Sequence, residues 1–320
     1  MKASVNTRYG SPDVLSLHDI TPPIPGQGEL LVKVHATTVG RTDTCALRAR
    51  PFFVRPMTGM RRPKRNILGL DFAGTVDQLG PGVERFEPGD RVFGVTPGGY
   101  GAHAEYVTVP ADGAIAAMPE GRRFDEVVIC EGAWYANMYL EKFGLGPGQT
   151  ILIYGASGAI GTAAVQLAKF YGAEVTAVVA TKHTELARDL GADHVVDYTK
   201  NSFNRIGAEF DFVLDAVGKT SYFECRPLLK PTGVFAATDL GPCWQNLLLA
   251  FWYSVTGSGR VVFPTPTADQ AQIEFIGARL EAGDIKAVVD RRYTLGDIAE
   301  AYRYVETQQK TGIVVVDVVT

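Results

Sequence analysis

Residues 151–161 of the chain are Ile151-Leu152-Ile153-Tyr154-Gly155-Ala156-Ser157-Gly158-Ala159-Ile160-Gly161. This stretch has the pattern of a short buried strand, a tight glycine turn and the first residues of a helix. Glycine lets the backbone approach a pyrophosphate closely, and the first amides of the following helix point at the anion. The glycines are spaced G-x-x-G-x-x-G, one residue longer than the usual pattern. The turn predicts dinucleotide binding, with a purely structural turn as the alternative, at Gly155, Ala156, Ser157, Gly158, Ala159, Ile160 and Gly161.

The chain around and beyond this turn alternates strands with helices. The pattern predicts strands over Thr150–Tyr154, Glu174–Ala180, His194–Asp197, Phe210–Asp215 and Val234–Thr238. Helical periodicity covers Ala159–Tyr171 and Glu185–Leu190, and a glycine follows each of these segments. Such alternation predicts an α/β fold with a parallel sheet built from right-handed βαβ units.

The N-terminal part of the chain has a different pattern, in which Gly and Pro separate short strands. Apolar strands are predicted over Leu30–Ala36 and Phe72–Gly80, and Pro88–Val95 has the pattern of a turn followed by a strand. We expect a compact β-rich domain here. Residues Thr267–Thr320 are predicted to form helix, strand, helix and strand, and the last strand, Gly312–Val318, is apolar enough to rejoin the first domain.

Length, charge and cysteine usage narrow the class of protein. A length of 320 residues favours two domains, and a net charge of -4 gives no reason to expect nucleic acid as a partner. The most apolar stretch, Leu247–Val255, is about half of the length that spans a bilayer, so we expect a buried or interface element and no stable membrane insertion. Met1–Val5 has no signal-peptide pattern. The cysteines lie far apart, which predicts reduced thiols in a cytoplasmic protein: Cys45, Cys130, Cys225 and Cys243.

The residues after the second strand of the α/β region indicate which dinucleotide binds. A site for NAD usually carries an acid about 20 residues beyond the glycines, where it accepts from the ribose 2′-hydroxyl. Here the sequence is Val178-Val179-Ala180-Thr181-Lys182-His183, without a carboxylate before Glu185. The hydroxyl of Thr181 and the ammonium group of Lys182 suit a 2′-phosphate, so we predict NADPH as the cofactor. The alternative for Lys182 is a solvated lysine on a loop.

Six motifs together carry a resemblance to a known family. They are YGASGAIG (154–161), LAK (167–169), LGADHVVDY (190–198), DFVLDAVG (211–218), GLDFAGTV (69–76) and PGDRVFG (88–94). Over essentially its whole length the chain resembles the zinc-free quinone oxidoreductase branch of the medium-chain dehydrogenases/reductases. The resemblance implies a GroES-like catalytic domain over 1–121 and 265–320. It also implies a Rossmann domain, a doubly wound parallel sheet that binds NADPH, over 122–264.

The same resemblance implies contacts to the cofactor and to a second copy of the chain. The implied contacts are Thr181, Lys182 and Tyr198 with the 2′-phosphate and adenosine, Val217 and Gly218 with the ribose on the nicotinamide side, and Ala237 and Thr238 near the nicotinamide. The family is commonly dimeric, and its sheets often pair across the two-fold axis. We therefore expect a homodimer in which Arg260–Phe263 lies at the interface.

The metal-ligand positions of zinc-dependent relatives carry other residues in this chain. Those relatives bind zinc through a Cys before a Thr-Asp or Ser-Asp pair, a His in a Gly-His-Glu motif, and a third Cys or Asp. The corresponding stretches here are Gly40-Arg41-Thr42-Asp43 and Gly69-Leu70-Asp71. Because Arg41 and Leu70 replace two ligands, we expect no metal. Without a metal to polarise oxygen, a conjugated acceptor is favoured over a simple ketone.

The candidate catalytic residues are Arg41, Asp43 and Tyr135. Quinone oxidoreductases usually have Asn in an Ala-Ser-Val-Asn-Pro pattern, whereas this chain has Thr37-Thr38-Val39-Gly40-Arg41. Gly40 therefore replaces the usual polar contact. Arg41 is either an oxyanion donor or the partner of a nearby aspartate, and Asp43 is a second candidate by its position. Tyr135 is either a residue of the substrate cleft or a core aromatic on a helix.

A basic segment without acids lies between Ala46 and Leu70. Phe52, Phe53 and Met57 are interleaved with its cations, which are Arg48, Arg50, Arg55, Arg61, Arg62, Lys64 and Arg65. Three interpretations stay open. The segment recruits an anionic substrate or the phosphates of NADPH, it is a solvated loop that pairs with acids elsewhere, or it associates loosely with an anionic membrane surface.

These features predict an NADPH-dependent oxidoreductase that transfers hydride to a small-molecule acceptor without zinc. The acceptor class that we expect is a quinone or an α,β-unsaturated carbonyl. The nearest alternative is an enoyl-thioester reductase of the same family. A further alternative is an NADPH-binding protein with little turnover that acts as a sensor.

Overall fold

The computed structural model describes residues 1–52, 55–241, 244–257, 260–264 and 267–318, without the side chain of Met57. Phe53 and Cys243, which were named above, lie outside the described residues. The chain divides into two compact units. Unit 1 consists of Met1–Glu131 and Ala268–Thr320, and unit 2 is Gly132–Thr267.

Unit 1 is rich in strands. Its strands are β1 (Lys2–Asn6), β2 (Leu15–Asp19), β3 (Glu29–Thr38), β4 (Asp71–Leu79), β5 (Arg91–Val95), β6 (Tyr106–Pro110), β7 (Ile115–Ala117), β14 (Val289–Thr294) and β15 (Ile313–Asp317). Its helices are α1 (Arg41–Arg48), α2 (Arg55–Thr58), α3 (Phe124–Val127), α9 (Gln270–Ala282) and α10 (Ile298–Glu306). These elements confirm the β-rich pattern that the sequence predicts for this part of the chain.

The main sheet of unit 1 joins the two ends of the chain. Its strands follow the order β14-β15-β3-β4-β5-β7, and β6 pairs with β3. Strand β15 pairs with β3 in antiparallel fashion, with Val316 opposite Thr37, which confirms that the last strand rejoins the first domain. Val314 and Val316 are buried in the core that the β3 and β4 side chains also line. The first four residues of β15 are all buried, as expected for a strand in the interior of the sheet.

The first segment of unit 1 ends at Glu131, ten residues beyond the domain boundary predicted at 121/122. Unit 2 ends at Thr267, three residues beyond the boundary predicted at 264/265. Helix α3 explains the first difference, because it packs against β3 and β4 of unit 1. Asp125 of this helix is buried, and it forms ion pairs with Arg123 and Arg292. Residues 122–131 therefore belong to the same compact unit as the β-rich sheet.

Unit 2 alternates strands and helices. Its strands are β8 (Thr150–Tyr154), β9 (Glu174–Val179), β10 (His194–Asp197), β11 (Phe210–Asp215), β12 (Leu229–Ala237) and β13 (Val261–Val262). Its helices are α4 (Cys130–Phe143, which begins two residues before the unit does), α5 (Ala159–Phe170), α6 (Thr184–Asp189), α7 (Tyr222–Cys225) and α8 (Gln245–Val255). Strands β8, β10 and β11 have the bounds that the sequence predicts.

The sheet of unit 2 is parallel and doubly wound. Its order is β10-β9-β8-β11-β12-β13, and every pairing in it is parallel. The chain runs outward from β8 to β10 and then returns to continue on the other side of β8 from β11. This order confirms the Rossmann-type prediction. Leu152, Val213 and Phe235 of the central strands are completely buried, as expected for strands covered on both faces.

Helix α8 differs from one of the two expectations for its sequence. The stretch Leu247–Val255 is helical, but Leu248, Phe251, Trp252 and Val255 are 62%, 71%, 62% and 69% exposed. The prediction of a buried element is therefore wrong, and an interface element remains. In the described ranges, none of the helices combines the length and the apolar character that a membrane span requires.

Candidate functional site

The three glycines of the turn between β8 and α5 differ in the space around them. Gly155 has a φ of +76°, and an added Cβ would lie 2.6 Å from a methyl carbon of Val217. A Cβ on Gly161 would lie 2.7 Å from Ala156 Cα, so α5 packs directly on the turn backbone. A Cβ on Gly158 would make only ordinary contacts, at 3.6 and 3.8 Å. The fold thus requires the first and third glycines, while the middle one leaves room for a ligand.

The first turn of α5 forms an anion-binding end beside Gly158. This glycine is the N-cap and has no side chain that accepts from the first N–H groups of the helix. The N-terminus of a helix carries partial positive charge and unpaired donors. No acidic residue lies in the first turn of α5. The residues present therefore fit a pyrophosphate at this position.

The predicted cofactor residues all follow the carboxyl ends of neighbouring parallel strands. In order across the sheet they are Tyr198 after β10, Thr181 and Lys182 after β9, the glycine turn after β8, Val217 and Gly218 after β11, and Ala237 and Thr238 at the end of β12. The strand order reverses between β8 and β11, which is where ligands bind in such sheets. The residues predicted for adenosine lie on one side of the glycine turn, and those predicted for nicotinamide lie on the other.

Asp215 holds the loop that carries Val217 and Gly218. Its carboxyl accepts from the backbone N–H groups of Val217 at 3.0 Å, Gly218 at 2.8 Å and Thr220 at 2.7 Å, and from the Thr220 hydroxyl at 2.8 Å. Burial raises the pKa of Asp215, and these hydrogen bonds oppose the rise. The Thr238 N–H donates to the Asp215 carbonyl oxygen at 2.9 Å. The buried Asp215 side chain therefore fixes the backbone of residues 217–220, which include two residues predicted to contact the nicotinamide-side ribose.

An acidic residue reaches the predicted 2′-phosphate site from the neighbouring strand. Asp197 ends β10, and its Oδ2 accepts from the Thr181 hydroxyl at 2.6 Å. The Thr199 hydroxyl donates to Oδ1 at 2.6 Å, and the Lys200 ammonium lies 3.4 Å from Oδ2. The bond from Thr181, followed by that from Thr199, lowers the pKa of Asp197 to about 2. Thr181, which follows β9, thus contacts a carboxylate from the neighbouring strand β10.

Unit 1 contains a cluster of three carboxyl groups, those of Asp43, Asp71 and Glu131. Asp43 Oδ2 accepts from the Gly40 backbone N–H at 2.8 Å, and in this way it caps the start of α1. Burial raises the pKa of Asp43 to about 7, although backbone hydrogen bonds, first of all that from Gly40, oppose the rise. The buried Asp43 therefore has a structural role at the helix start.

Glu131 connects this cluster to the surface of unit 1. Its backbone N–H donates to Asp71 Oδ1 at 2.9 Å, and its Oε1 accepts from the Thr42 hydroxyl. Burial raises the pKa of Glu131 to about 7; the charge of Asp43 adds to the rise, and Thr42 and Lys310 oppose it. Thr42 is exposed and Glu131 is half-buried. The Glu131 carboxyl can therefore hold and exchange a proton near neutral pH.

Asp71 accepts a hydrogen bond from Thr38, and a neutral histidine contacts the carbonyl oxygen of that threonine. Burial raises the pKa of Asp71 well above its ordinary value, the charge of Glu131 adds to the rise, and the Thr38 hydroxyl donates to Oδ2 at 3.1 Å. His103 Nε2 lies 2.8 Å from the Thr38 carbonyl oxygen, and Nδ1 lies 3.3 Å from the Tyr302 hydroxyl. Burial lowers the pKa of His103 to about 4. The imidazole is therefore neutral at pH 7 and does not offset the charge of the cluster.

Glu131 also occupies the space beside Gly40. An added Cβ on Gly40 would lie well under 3.0 Å from Glu131 Oε2 and 3.6 Å from Asp43 Oδ2. A side chain at position 40 is therefore incompatible with Glu131 in this place. Quinone oxidoreductases usually have an Asn at this position. This chain has Gly40 instead, and the Glu131 carboxyl packs against it.

The structure places the three predicted catalytic residues in two different units. Arg41 is the exposed first residue of α1, and Asp43 is buried in the same helix of unit 1. Tyr135 is half-buried on α4 of unit 2, with its ring centroid 4.6 Å from that of Trp134. The structure thus brings Arg41 and Asp43 into the same unit as Glu131.

Comparisons with known proteins show to which family the chain belongs. Residues 26–120 match the family model described as the alcohol dehydrogenase GroES-like domain, and residues 190–316 match the one described as zinc-binding dehydrogenase. A quinone oxidoreductase from Coxiella burnetii superposes with a TM-score of 0.88 at 25% identity, covering 100% of this chain and 99% of that one. The 2-methylene-furan-3-one reductase of Solanum lycopersicum is 30% identical, over 99% of this chain and 79% of its own length. The chain belongs to the quinone oxidoreductase branch of the medium-chain dehydrogenase/reductase superfamily.

A further relative within this superfamily has the same level of similarity. The chloroplastic NADPH-dependent alkenal/one oxidoreductase of Arabidopsis thaliana is 30% identical, over 99% of this chain and 79% of its own length. The matches extend over both units, so they cover the glycine turn as well as the carboxyl cluster. They support a nicotinamide cofactor for this member of the quinone oxidoreductase branch.

At the positions where zinc-dependent relatives bind the metal, this chain carries side chains that are not zinc ligands. Leu70 is a buried aliphatic side chain, 8% exposed, and Arg41 is an exposed cation. Cys130 is buried next to Glu131, and burial raises the pKa of its thiol well above the ordinary value. Among the described residues, no three His, Cys, Asp or Glu side chains are grouped so that they could hold a metal ion. The described residues therefore offer no ligand set that corresponds to the zinc site of zinc-dependent relatives.

Sequence reasoning missed Glu131, Asp197 and Asp215. Glu131 follows four largely apolar residues, and an acid in such a position, together with Gly40 in place of Asn, was the available signal. Asp197 and Asp215 are the last residues of parallel strands, where side chains meet at the ligand-binding edge of this superfamily's sheets. An acid at a strand end was thus a signal in both cases.

Proposed function

We propose that the protein is an NADPH-dependent oxidoreductase that transfers hydride to a quinone or an α,β-unsaturated carbonyl without zinc. The observation that carries the proposal is the row of predicted cofactor residues at the carboxyl edge of the unit 2 sheet, ordered from the adenosine side to the nicotinamide side. The names of the tomato and Arabidopsis relatives support the acceptor class. When bound, a nicotinamide cofactor supplies the hydride.

The absence of a zinc ligand set among the described residues favours a conjugated acceptor. Arg41 and Leu70 offer no ligand to a metal, so polarisation of a simple carbonyl oxygen by zinc is not available. A quinone or an enone delocalises the incoming charge onto its oxygen, and hydrogen bonds are sufficient to stabilise it. We therefore assign the protein to conjugated acceptors rather than to simple alcohols and ketones.

The acceptor also needs a proton, and we assign its delivery to Glu131. Its carboxyl has a pKa of about 7, so it carries a proton in a substantial fraction of molecules at neutral pH. It lies half-buried against the exposed Thr42, whose hydroxyl bonds to Oε1. Asp43 caps α1 and raises the pKa of Glu131 by its charge, so its proposed role is positioning. Arg41 and Tyr135 stay predicted substrate-side residues.

The finer assignments of cofactor, assembly and location are also proposals. NADPH rather than NADH is supported by Lys182, which is exposed beside Thr181. A homodimer through unit 2 is supported by β13, which ends the sheet, and by the exposed apolar face of α8. The cytoplasmic location inferred from the cysteines stays a prediction, and the Arabidopsis relative is named chloroplastic.

The acceptor class is tested with the purified protein and NADPH. We expect oxidation of NADPH with 1,4-naphthoquinone and 2-cyclohexenone, but not with cyclohexanone, and a zinc chelator leaves these rates unchanged. If crotonyl-coenzyme A is turned over faster than both 1,4-naphthoquinone and 2-cyclohexenone, the protein is instead an enoyl-thioester reductase. Tight NADPH binding without oxidation by any acceptor would contradict the proposed function and favour a non-catalytic sensor.

The role of Glu131 is tested in the same assay with Glu131→Gln. General acid catalysis contributes about 10²- to 10⁴-fold, so kcat with 2-cyclohexenone falls within that range. Because the acid acts in its protonated form, wild-type kcat falls as pH rises through about 7. The Gln variant loses this dependence. If its pH profile matches that of the wild type, Glu131 is not the proton donor.

A further inference from the structure

The basic segment, residues 48–65, keeps most of its charge away from acids. Arg48 pairs with Glu306 through Nε and through Nη2, the latter 2.7 Å from Oε2. Within the described parts of the chain, no carboxylate lies at salt-bridge distance from Arg50, Arg61, Arg62 or Lys64. The interpretation that the segment pairs with acids elsewhere therefore holds for Arg48 but not for these four cations.

Tyr9 contacts three described residues of the segment, Arg55, Thr58 and Gly59. The Tyr9 hydroxyl lies 2.9 Å from both the Thr58 hydroxyl oxygen and the Gly59 carbonyl oxygen. The Arg55 guanidinium stacks over the rings of Tyr9 and Phe52, at 5.3 and 4.9 Å from their centroids. Because these contacts fix the backbone before any ligand arrives, binding of a ligand orders few additional groups.

Arg65 joins the end of the basic segment to the loop that carries Pro97 and Tyr100. Its Nη1 donates to the Pro97 carbonyl oxygen at 2.8 Å, and its guanidinium lies 5.7 Å from the Tyr100 ring centroid. Burial raises the pKa of Tyr100, with further contributions from the charges of Tyr9 and Asp43 and an opposing one from Arg65. The charges of Arg65 and Asp43 thus both act on Tyr100, and Asp43 accepts a backbone hydrogen bond from Gly69, four residues beyond Arg65.

Three cations that precede Arg65 are exposed and close together in sequence. Arg61, Arg62 and Lys64 are exposed, and Met60 beside them is 58% exposed. A guanidinium group binds carboxylate, phosphate and sulfonate oxygens through two parallel N–H groups. Two adjacent arginines and a lysine next to an apolar side chain fit an anionic group on an otherwise apolar molecule.

We propose that Arg61, Arg62 and Lys64 bind the anionic group of the acceptor, so that the preferred substrate is a conjugated carbonyl bearing a carboxylate, phosphate or sulfonate. The proposal rests on the proposed function, since it specifies the acceptor of the same reaction. It assigns to the basic segment a role in substrate selection that is separate from the binding of NADPH phosphates.

The test compares a charged and an uncharged acceptor in the double variant Arg61→Gln/Arg62→Gln. The acceptors are 1,4-naphthoquinone-2-sulfonate and 1,4-naphthoquinone, and the quantity is the ratio of their kcat/KM values, in which intrinsic reactivity cancels between proteins. We expect the ratio to fall about ten- to a hundred-fold in the variant, the range of a charge-assisted hydrogen bond. The wild-type ratio also falls with added salt, and that of the variant falls less, since only Lys64 of the three cations remains.

A matched control separates this effect from a change in net charge. Lys142→Gln/Arg226→Gln removes two exposed positive charges from unit 2 and should leave the ratio unchanged. The KM for NADPH should stay within about two-fold of wild type in both double variants; a rise confined to Arg61→Gln/Arg62→Gln would overturn the proposal in favour of cofactor recruitment. An unchanged ratio combined with binding of wild type to phosphatidylserine vesicles would overturn it in favour of a membrane surface.

A binding measurement keeps the two proposals apart. Calorimetric titration of the cofactor-free protein with 1,4-naphthoquinone-2-sulfonate should show binding that the double variant weakens at least about ten-fold. Turnover of uncharged 1,4-naphthoquinone with no such binding difference would leave the oxidoreductase assignment intact and refute the anion site. Binding that depends on Arg61 and Arg62 without turnover of any acceptor would retain the anion site and refute the reaction.

Discussion

Gly40 and Glu131 share one space in unit 1, because a Cβ on the glycine would overlap Oε2 of the glutamate. The two positions are 91 residues apart in the chain but belong to the same compact unit. The relationship explains why a glycine stands where the resembled family has an Asn. It also makes Glu131 the polar group at this place, with Thr42 as its hydrogen-bond partner.

This relationship predicts a large coupling between substitutions at the two positions. Gly40→Ala forces the Glu131 carboxyl aside and should destabilise the protein by about 1–3 kcal/mol, as overpacking does. In the Glu131→Ala background the same substitution should cost much less, since the colliding carboxyl is absent. Urea unfolding of the four proteins gives the coupling free energy. Additive effects of the two substitutions would show that the groups do not share this space.

The sequence was sufficient for the fold because the deciding signals are local. Strand periodicity, glycine stops and the turn at 155–161 each lie within a few residues, and the structure has these elements at the predicted places. The carboxyl cluster brings Asp43, Asp71 and Glu131 together from three separate segments, so no local pattern contains it. The exposure of α8 could not be predicted either, because the sequence of an apolar helix does not show whether another surface covers it.

Asp43 predicts a stability that changes with pH in a specific direction. Its folded-state pKa of about 7 lies above the ordinary value of 3.8, so between about pH 4 and pH 7 the folded state binds a proton that the unfolded state lacks. The free energy of unfolding therefore receives a contribution that is complete below pH 4 and decreases by about 1.4 kcal/mol per pH unit as pH rises through this window.

Asp43→Asn removes this contribution together with the part of the rise in the Glu131 pKa that the Asp43 charge causes. The buried His103 contributes in the opposite direction, but it does so in both proteins and cancels in the difference. We expect the wild type to lose stability relative to Asp43→Asn between pH 5 and pH 7, measured by urea unfolding at several pH values. A difference that stays constant over this range would mean that Asp43 is ionised in the folded protein.

The unequal space at Gly158 and Gly161 predicts two different phenotypes within one turn. Gly161→Ala pushes a methyl group against the Ala156 backbone and should lower Tm without any ligand present. Gly158→Ala makes only ordinary contacts, so Tm should change little, but the methyl group obstructs the approach of the pyrophosphate. The rise of Tm on adding NADPH should therefore be lost in Gly158→Ala.

A third glycine in the same unit provides the control for these variants. A Cβ on Gly146 would lie 3.9 Å from Gln149 Oε1, so Gly146→Ala should retain both the wild-type Tm and the NADPH-induced rise. If Gly158→Ala keeps a full NADPH-induced rise of Tm, the middle glycine does not face the cofactor. Thermal denaturation with and without ligand is sufficient for all four proteins.

Substitutions of Lys182 and Asp197 should change the preference for NADPH over NADH in opposite directions. Lys182→Ala removes a positive charge beside Thr181 and should weaken NADPH about ten-fold or more while leaving NADH nearly unchanged. Asp197 is ionised, since its pKa is lowered to about 2, and its carboxylate bonds to the Thr181 hydroxyl. Asp197→Asn removes this negative charge and should strengthen NADPH relative to NADH. Equal losses for the two cofactors in Lys182→Ala would refute the phosphate contact.

The apolar face of α8 predicts the interface of the proposed homodimer. Phe251 and Trp252 are 71% and 62% exposed, and the neighbouring β13 offers the unpaired edge of the described sheet. Because burial of these rings supplies the association free energy, Phe251→Ser/Trp252→Ser should shift the protein from dimer to monomer in light scattering. Phe223→Ser replaces a phenylalanine of unit 2 that is 61% exposed outside α8, and it should leave the dimer intact. A dimer that persists in the α8 double variant would place the interface elsewhere, and a monomeric wild type would exclude the homodimer itself.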